Sequence, residues 1–180
     1  MRRNNIKIIQ YLLERGANFS IPSNNNLTYI DYIFRNIIND IPPYINLFKE
    51  HGAQFIERDN KGNTILHKKI NQHNISHIEI LLDHVPELLE ENNNDNNTPL
   101  HLISSDEYSI STSLPIINNY LNNPSKSTDD KEKIKELFLT AKNTDEKTPY
   151  DLIQEIQKTN IHQDTRDIIQ TTMQLLDIED

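Results

Sequence analysis

The stretch that decides the fold is Asp59-Asn60-Lys61-Gly62-Asn63-Thr64-Ile65-Leu66-His67. Three other segments align with it, residues 23–31, 93–101 and 143–151, and they place threonines at positions 28, 64, 98 and 148. The intervals between these threonines are 36, 34 and 50 residues, so the third interval contains an insertion. Self-similarity at a period of this length indicates a repeat protein in which each unit packs against its neighbours.

The aligned threonines predict the starts of helices. A Thr side chain at an N-cap accepts a backbone N–H, and a proline at the first helical position, as at Pro99 and Pro149, gives up a donor that would be unpaired anyway. A histidine in the fourth place, as at His67 and His101, can bridge backbone groups of its own turn and of the neighbouring turn.

The turn before each threonine needs one residue with positive φ. That place is held by Asn26, Gly62, Asn96 and Glu146. Asn tolerates positive φ better than other non-glycine residues, whereas Glu tolerates it poorly. The sequence therefore predicts that the last turn is distorted or differently shaped.

Apolar residues at helical period fill the intervals between the turns and predict amphipathic helices. Two of these helices run into Gly16-Ala17 and Gly52-Ala53, where glycine provides the usual left-handed cap. Towards the C-terminus, Ile168, Ile169 and Met173 alternate with polar residues. This pattern indicates a closing helix with one solvent-exposed face. Three of the apolar stripes are Ile6, Ile9, Leu12 and Leu13; Ile78, Leu81, Leu82 and Val85; and Ile134, Leu137, Phe138 and Ala141.

Composition excludes several classes of protein. The 180 residues contain no cysteine, which excludes disulfide frameworks, thiolate zinc sites and thiol nucleophiles and fits a reducing, cytoplasmic location. A net charge of −9 opposes binding to nucleic acid and to anionic membrane surfaces. No apolar run reaches 18 residues, and Lys7, Gln10 and Glu14 interrupt the N-terminal apolar stretch, so neither a membrane span nor a signal peptide is predicted.

Taken together, these motifs resemble ankyrin repeats. The resemblance is carried by Asp59-x-x-Gly62-x-Thr64, by Thr98-Pro99-Leu100-His101-Leu102, by residues 77–82 and by the Gly52-Ala53 exit. It implies an all-α fold, an ankyrin-repeat solenoid of stacked helix-turn-helix units joined by hairpin-like fingers. The low hydrophobic content of 35% fits such a stack, which has no single deep core. Departures from the family pattern are Tyr29 and Ile65 in place of Pro, and Asp31 and Asp151 in place of His.

The resemblance divides a single domain, residues 1–180, into units. Residues 1–22 are a partial repeat, 23–58, 59–92 and 93–142 are fuller repeats of which the third carries an insertion, and 143–180 are a terminal repeat. Within the insertion, Leu114 to Leu121 and Asp129 to Leu139 both have helical patterns, and the sequence leaves open which of them completes the third repeat. The partial repeat is expected to leave Ile6, Ile9 and Leu13 partly uncovered, so that the chain is a fragment or Met1 to Asn5 begin a cap.

No group of residues forms a convincing catalytic or metal site. His73 and His77 are four residues apart and could present two metal ligands, but His77 falls where ankyrin repeats have a structural His, and we expect structural roles for His67 and His101 as well. The carboxylate runs, such as Asp129-Asp130, are typical of a solvated surface. The chain has no Gly-x-Ser-x-Gly, and its three glycines cannot form a phosphate loop. We therefore expect no enzyme activity, no cofactor and no metal.

The resemblance implies protein binding on a concave surface made of finger tips and of the exposed sides of the first helices. Because Tyr108 offers a large contact area at low entropic cost, it is the strongest single candidate. The net charge favours a partner with a basic surface and a monomeric module. The residues that the resemblance places on this binding surface are Asn60, Lys61, Asn63, Lys69, Gln72, Asn94, Asp95, Asn97, Glu107, Tyr108, Thr144, Asp145 and Lys147.

Other interpretations remain open at the level of sequence. The same residues could simply keep a repeat array soluble, or the repeats could be a substrate-positioning arm of a larger enzyme whose catalytic domain lies outside these residues. The 24 Asn and 27 Ile residues indicate an AT-rich coding sequence. In an ankyrin-like protein that bias resembles effectors that intracellular bacteria secrete into host cells, although some large viruses share it, and it would place the protein in the host cytosol.

Overall fold

The computed structural model describes residues 3–18, 28–37 and 40–178. Within these residues all regular secondary structure is helical, so the prediction of an all-α protein is confirmed. The α-helices are α1 (Arg3–Glu14), α2 (Tyr29–Asn36), α3 (Pro42–Glu50), α4 (Ile65–Asn71), α5 (Ile75–His84), α6 (Pro99–Ile103), α7 (Glu107–Asn122), α8 (Thr128–Thr140), α9 (Pro149–Gln157) and α10 (Gln163–Leu175), with a 3₁₀ helix at Pro86–Glu90 after α5.

The four aligned threonines lie at helix starts, as predicted. Thr28, Thr64, Thr98 and Thr148 are the N-caps of α2, α4, α6 and α9. In each case the side chain three residues later accepts the threonine's own N–H, through a carboxylate oxygen in α2 and α9 and through an imidazole nitrogen in α4 and α6. These reciprocal caps satisfy backbone donors that a helix cannot pair within itself.

Two helices end on the predicted glycine caps. Gly16 follows α1 with φ +81°, and Gly52 follows α3 with φ +87°. In each exit the following alanine donates its N–H back into the helix, Ala17 to the carbonyl of Leu12 and Ala53 to that of Phe48, both over 3.0 Å. The left-handed glycine thus terminates each helix and pairs one of its last carbonyls.

The helices pack in two rows. In one row α6 lies between α4 and α9, and in the other α5 contacts α3 and α7, while α7 packs most extensively against α10. The helix α7 also contacts α6, whereas α8 packs on α9. The helix α7 begins at Glu107, well before the expected Leu114, and continues through Pro115.

The helix α1 turns a different face outward from the one expected. Leu13 is buried, and Ile6 and Ile9 are partly buried against the core, whereas Ile8, Tyr11 and Leu12 are 57%, 53% and 49% exposed. The expectation of a partly uncovered face therefore holds for Ile6 and Ile9 and is wrong for Leu13, and Leu12 does not share their stripe. Since successive helical residues point about 100° apart, Leu12 lies roughly 90° from the centre of the buried face.

The other apolar stripes pack as their period predicts. Ile78, Leu81, Leu82 and Val85 are all buried, as are Ile134 and Phe138 of α8. The closing helix α10 buries Ile169 and Met173, as expected, and it also buries Thr165 and Thr172, while Asp164, Gln170 and Gln174 are exposed. In the part of the chain that the structure describes, no helix combines the length and the apolar character needed to cross a membrane.

Candidate partner-binding surface

Three turns of the same construction precede α4, α6 and α9, and they comprise residues 59–63, 93–97 and 143–147. In each turn the N–H of the first residue donates to the carbonyl of the fifth over 3.0 to 3.1 Å. The side-chain oxygen of the first residue, an Asp or an Asn, accepts the N–H groups of the third and fifth residues over 2.9 to 3.1 Å. The first residue therefore organises the whole turn.

The fourth residue of each turn has positive φ, as predicted. The φ angles are +75° at Gly62, +55° at Asn96 and +59° at Glu146, while Asn26 lies outside the described residues. The prediction that the last turn is distorted is wrong, because residues 143–147 repeat the hydrogen bonds of the other two turns. Those bonds hold Glu146 in a conformation that costs a non-glycine residue of order 1 to 3 kcal/mol.

Neighbouring turns are hydrogen-bonded to each other. Asn94 donates its N–H to the carbonyl of Lys61, and Thr144 donates its N–H to the carbonyl of Asp95, both over 3.0 Å. Side-chain amides repeat the link, since Asn93 donates to Asn63 and Asn143 donates to Asn97, again over 3.0 Å. The three turns therefore lie side by side and bring their exposed tips onto one surface.

His67 and His101 bridge adjacent turns, as predicted. Nδ1 of His67 accepts the N–H of Thr64 over 3.3 Å, so a neutral ring carries its proton on Nε2, which donates to the carbonyl of Asn97 over 2.9 Å. His101 makes the corresponding bonds to Thr98 and to the carbonyl of Lys147. Burial of the ring lowers the pKa of His67 to about 4, and burial also lowers the pKa of His101.

Two of the expected binding residues are buried. Asn63 is 6% exposed, because its amide oxygen accepts the link from Asn93. Lys69 is 8% exposed, because α4 packs its side chain beside Phe34 of α2. Neither residue is part of the exposed surface, and the expectation that they are is wrong.

The tips of the turns are exposed. The exposed tip residues are Asn60, Lys61, Asn94, Asp95, Thr144 and Asp145. Asn97 and Lys147 are half-buried, since the side chain of Asn97 bonds to Asn143 and the ammonium of Lys147 pairs with Glu155 over 2.7 Å. That ion pair raises the pKa of Lys147, chiefly through the hydrogen bond to Glu155.

Tyr108 is the most exposed large hydrophobic side chain in the described part of the protein, at 60%. It lies near the start of α7, in the second row of helices, and not on a first-row helix as expected. Its ring meets the edge of the His73 ring with centroids 4.6 Å apart. Tyr108 also borders an open depression of about 600 Å³ whose walls include Asp106, Glu107 and Asp164.

Glu107 has a structural role that sequence reasoning missed. Its Oε1 accepts the N–H of His162 over 2.7 Å and the hydroxyl of Thr165 over 3.2 Å. His162 is the N-cap of α10 and makes no side-chain cap of its own, so Glu107 of α7 caps α10 from a distance. The acidic side chain is therefore half-buried and not a free contact residue.

The paired histidines of the α4–α5 region lie in separate environments. His73 contacts Tyr108, whereas His77 packs edge-on against Phe34 with centroids 5.0 Å apart. Nδ1 of His77 is buried without a hydrogen-bond partner. Among the described residues, no group of three or more His, Cys, Asp or Glu side chains is arranged to hold a metal ion.

Among the residues expected to bind a partner, the exposed ones are the turn-tip residues Asn60, Lys61, Asn94, Asp95, Thr144 and Asp145, together with Gln72 at the end of α4 and Tyr108 near the start of α7. They carry amide, hydroxyl, charged and aromatic groups, which suit contact with another protein. Comparison with known proteins finds no matching protein-family model and no matching curated protein. The surface is therefore interpreted from its own chemistry.

Proposed function

We propose that the chain is an ankyrin-repeat module that binds another protein and has no catalytic role of its own. Three hydrogen-bonded turns of one construction, Thr-capped helices and two rows of packed helices support the repeat assignment. The observation that carries the binding role is Tyr108, which is 60% exposed, whereas His67, His101, Asn63 and Asn143, which link neighbouring turns, are buried. Exposed aromatic side chains of this kind are enriched among residues that dominate binding energies.

The charges favour a partner whose surface is basic overall. The chain has a net charge of −9, and Asp95 and Asp145 lie at exposed turn tips. Asp106 and Asp164 border the depression next to Tyr108. Such a distribution accelerates encounter with a positively charged protein and loses this advantage as salt is added. The module acts as a monomer in this proposal.

A photo-cross-linking experiment tests the binding role. Benzoylphenylalanine is placed at position 108 in one bait and at position 11 in another, because Tyr11 on α1 is similarly exposed, at 53%. The composition makes a eukaryotic host-cell lysate the appropriate source of partners. We expect a discrete cross-linked protein with the first bait and not with the second.

Variants of the turn tips make the test specific to the surface. In this proposal the partner contacts the turn tips as well as Tyr108, so Asn60→Ala, Lys61→Ala and Asp95→Ala together should abolish the cross-link from position 108. The fold should be kept, because these exposed side chains make no hydrogen bond that holds a turn. The matched control changes the exposed Glu132 and Glu136 of α8 to alanine. Equal cross-linking from positions 11 and 108, or a cross-link that survives the triple substitution, would contradict the proposal.

A further inference from the structure

Lys69 is a recessed cation without an ion pair. Its side chain is 8% exposed, and its ammonium donates to Oε1 of Gln72 over 3.1 Å. Among the described residues, no carboxylate lies within ion-pair distance of it. Charged groups with so little exposure are normally paired, because removing them from water is costly. A recessed lysine without an ion pair is therefore a candidate partner for an external anion.

The surroundings of Lys69 are positively charged in a chain that is acidic overall. Burial has the largest effect on Lys69 and lowers its pKa; the nearby carboxylate of Asp31 acts in the opposite direction, and Lys68 and Arg35 lower the pKa further. We call Arg35, Lys68 and Lys69 the basic cluster. Arg35 is exposed and makes no ion pair with any described residue.

The nearest carboxylate, Asp31, is already committed to other groups. Its Oδ1 accepts from the ammonium of Lys68 over 2.7 Å, and its Oδ2 accepts the N–H and the hydroxyl of Thr28. Among the described residues, Asp31 is therefore the one carboxylate that acts on Lys69, and its oxygens are already occupied by Lys68 and Thr28. The cluster keeps an excess of positive charge, and that excess is the electrostatic complement of a carboxylate on a partner.

The ammonium of Lys69 is held just below the surface. It lies 5.7 Å from the centre of the Phe34 ring, and the edge of the His77 ring contacts the same aromatic residue. On its other side it bonds to Gln72, which is exposed. These contacts fix the direction of the ammonium before any partner arrives, which reduces the entropic cost of binding.

The basic cluster continues into the aromatic surface. Gln72 is followed by His73, which has φ +49° and presents its ring edge to Tyr108 at 4.6 Å. A ligand carboxylate at Lys69 would therefore have an exposed aromatic ring nearby for its next side chain. Carboxylates border that ring, namely Asp106, Glu107 and Asp164, and they would repel a second negative charge there.

From this arrangement we propose that the basic cluster seats one Asp or Glu side chain of the partner protein, with an adjacent aromatic or apolar side chain of the partner packed on Tyr108. The proposal deepens the proposed function and rests on it. A single carboxylate fits better than a polyanion such as nucleic acid, because the carboxylates around Tyr108 oppose a run of negative charges. A partner that is basic overall is compatible with this contact. The net charges of the two proteins govern their long-range attraction, whereas the charges next to Lys69 govern the contact with a single carboxylate.

Small peptide probes test the proposal directly. The probe N-acetyl-Glu-Phe-amide carries the carboxylate and the aromatic ring, N-acetyl-Gln-Phe-amide lacks only the charge, and N-acetyl-Lys-Phe-amide reverses it. Each is titrated at low ionic strength into the full chain, while NMR follows the lysine side-chain carbons and the backbone amides of residues 69–73 and 108. We expect the Glu probe to bind about tenfold more tightly than the Gln probe and to raise the pKa of Lys69.

Three variants separate the site from general charge effects. Lys69→Met should weaken the Glu probe about tenfold and leave the Gln probe unchanged, while Arg35→Gln, at an exposed position, should weaken the Glu probe by a smaller factor. Lys158→Met removes the same charge from an exposed lysine whose ammonium makes no ion pair with any described residue, and it should change nothing. Spectra and melting curves of all variants show whether the fold is kept.

Several results would overturn the proposal. They are a failure of the Glu probe to bind, equal binding of the Glu and Gln probes, and Glu-probe binding that survives both Lys69→Met and Arg35→Gln. If inorganic phosphate binds as tightly as the Glu probe, the natural ligand of the basic cluster is a phosphoryl group and the proposed carboxylate is wrong. If the probes fail while the cross-link from position 108 still forms, this inference alone is wrong; if both fail, the proposed function is wrong too.

Discussion

At the scale of single residues, Gly62 is required for two separate reasons. It has φ +75°, which side chains disfavour, and a Cβ at this position would lie 2.4 Å from Oδ1 and 2.7 Å from the backbone nitrogen of Asn94. Gly52 has a similar φ of +87° but has no atom within 4 Å of the corresponding Cβ position. A comparison of substitutions at Gly62 and Gly52 therefore separates the cost of positive φ from the cost of a clash between two turns.

We expect Gly62→Ala to destabilise the protein clearly more than Gly52→Ala does. Both substitutions incur the cost of positive φ, of order 1 kcal/mol, and Gly62→Ala adds a clash with a backbone atom that cannot rotate away. Gly62→Val should be worse still, because a β-branched residue fits the left-handed region poorly. Urea unfolding measures the free energies of unfolding.

Equal losses for the two alanine variants would show that the turns can separate at no cost. A crystal structure with Gly62 at negative φ would also contradict the argument. The variant Asn96→Gly gives a further check, since it relieves a non-glycine residue at φ +55° and should stabilise the neighbouring turn by up to about 1 kcal/mol.

At the scale of helices and turns, the sequence predicts what depends on local chemistry. The caps at Thr64 and Thr98 and the glycine after α3 follow from groups within a few residues of each other, so residue type and spacing suffice. The burial of Lys69 and the capping of α10 by Glu107 depend on residues far away in the chain. No periodic pattern carries that information, because it arises only when the helices pack.

The contact between α7 and α10 contains a buried polar pair that invites a test. Thr172 is fully buried, and its hydroxyl lies 2.8 Å from Oδ1 of Asn118, which is 7% exposed, and 2.9 Å from the carbonyl oxygen of Ile168 in its own helix. We expect Thr172→Val, which keeps the shape, to cost about 1 to 3 kcal/mol because it leaves the Asn118 oxygen unsatisfied. Thermal and urea unfolding measure the loss.

The adjacent threonine is the matched control. Thr171 is exposed and bonds to the carbonyl of Asp167 in its own helix, so Thr171→Val should change stability by no more than about 0.5 kcal/mol. Combining Thr172→Val with Asn118→Leu removes both partners and should recover most of the loss. If Thr171→Val costs as much as Thr172→Val, the buried pair does not stabilise the α7–α10 contact.

At the scale of the whole molecule, the turns are tied together by two buried imidazoles. His67 joins the first turn to the second, and His101 joins the second to the third. Both bonds need the neutral ring, because Nδ1 must accept a threonine N–H while Nε2 donates. Protonation of Nδ1 would place two N–H groups against each other, and the stacking of the turns therefore depends on pH.

The direction of that dependence follows from the pKa of His67, which burial lowers to about 4 from an ordinary value near 6.5. The unfolded chain binds the proton more readily, so the stabilisation is fully present above about pH 6.5 and is lost as the pH falls towards about 4. For His67 alone the loss amounts to about 3 kcal/mol. His101 and His77, whose pKa values burial also lowers, add to it in the same direction.

Unfolding by urea between pH 7 and pH 4 should therefore show a falling free energy of unfolding before most carboxylates titrate. His67→Gln makes the assignment specific, because the Gln oxygen can accept the Thr64 N–H and its amide can donate towards Asn97, yet it does not titrate. The slope of stability against pH should become shallower in this variant, whatever its absolute stability. An unchanged slope in His67→Gln would mean that the acid sensitivity of the fold comes from groups other than the bridge between the turns.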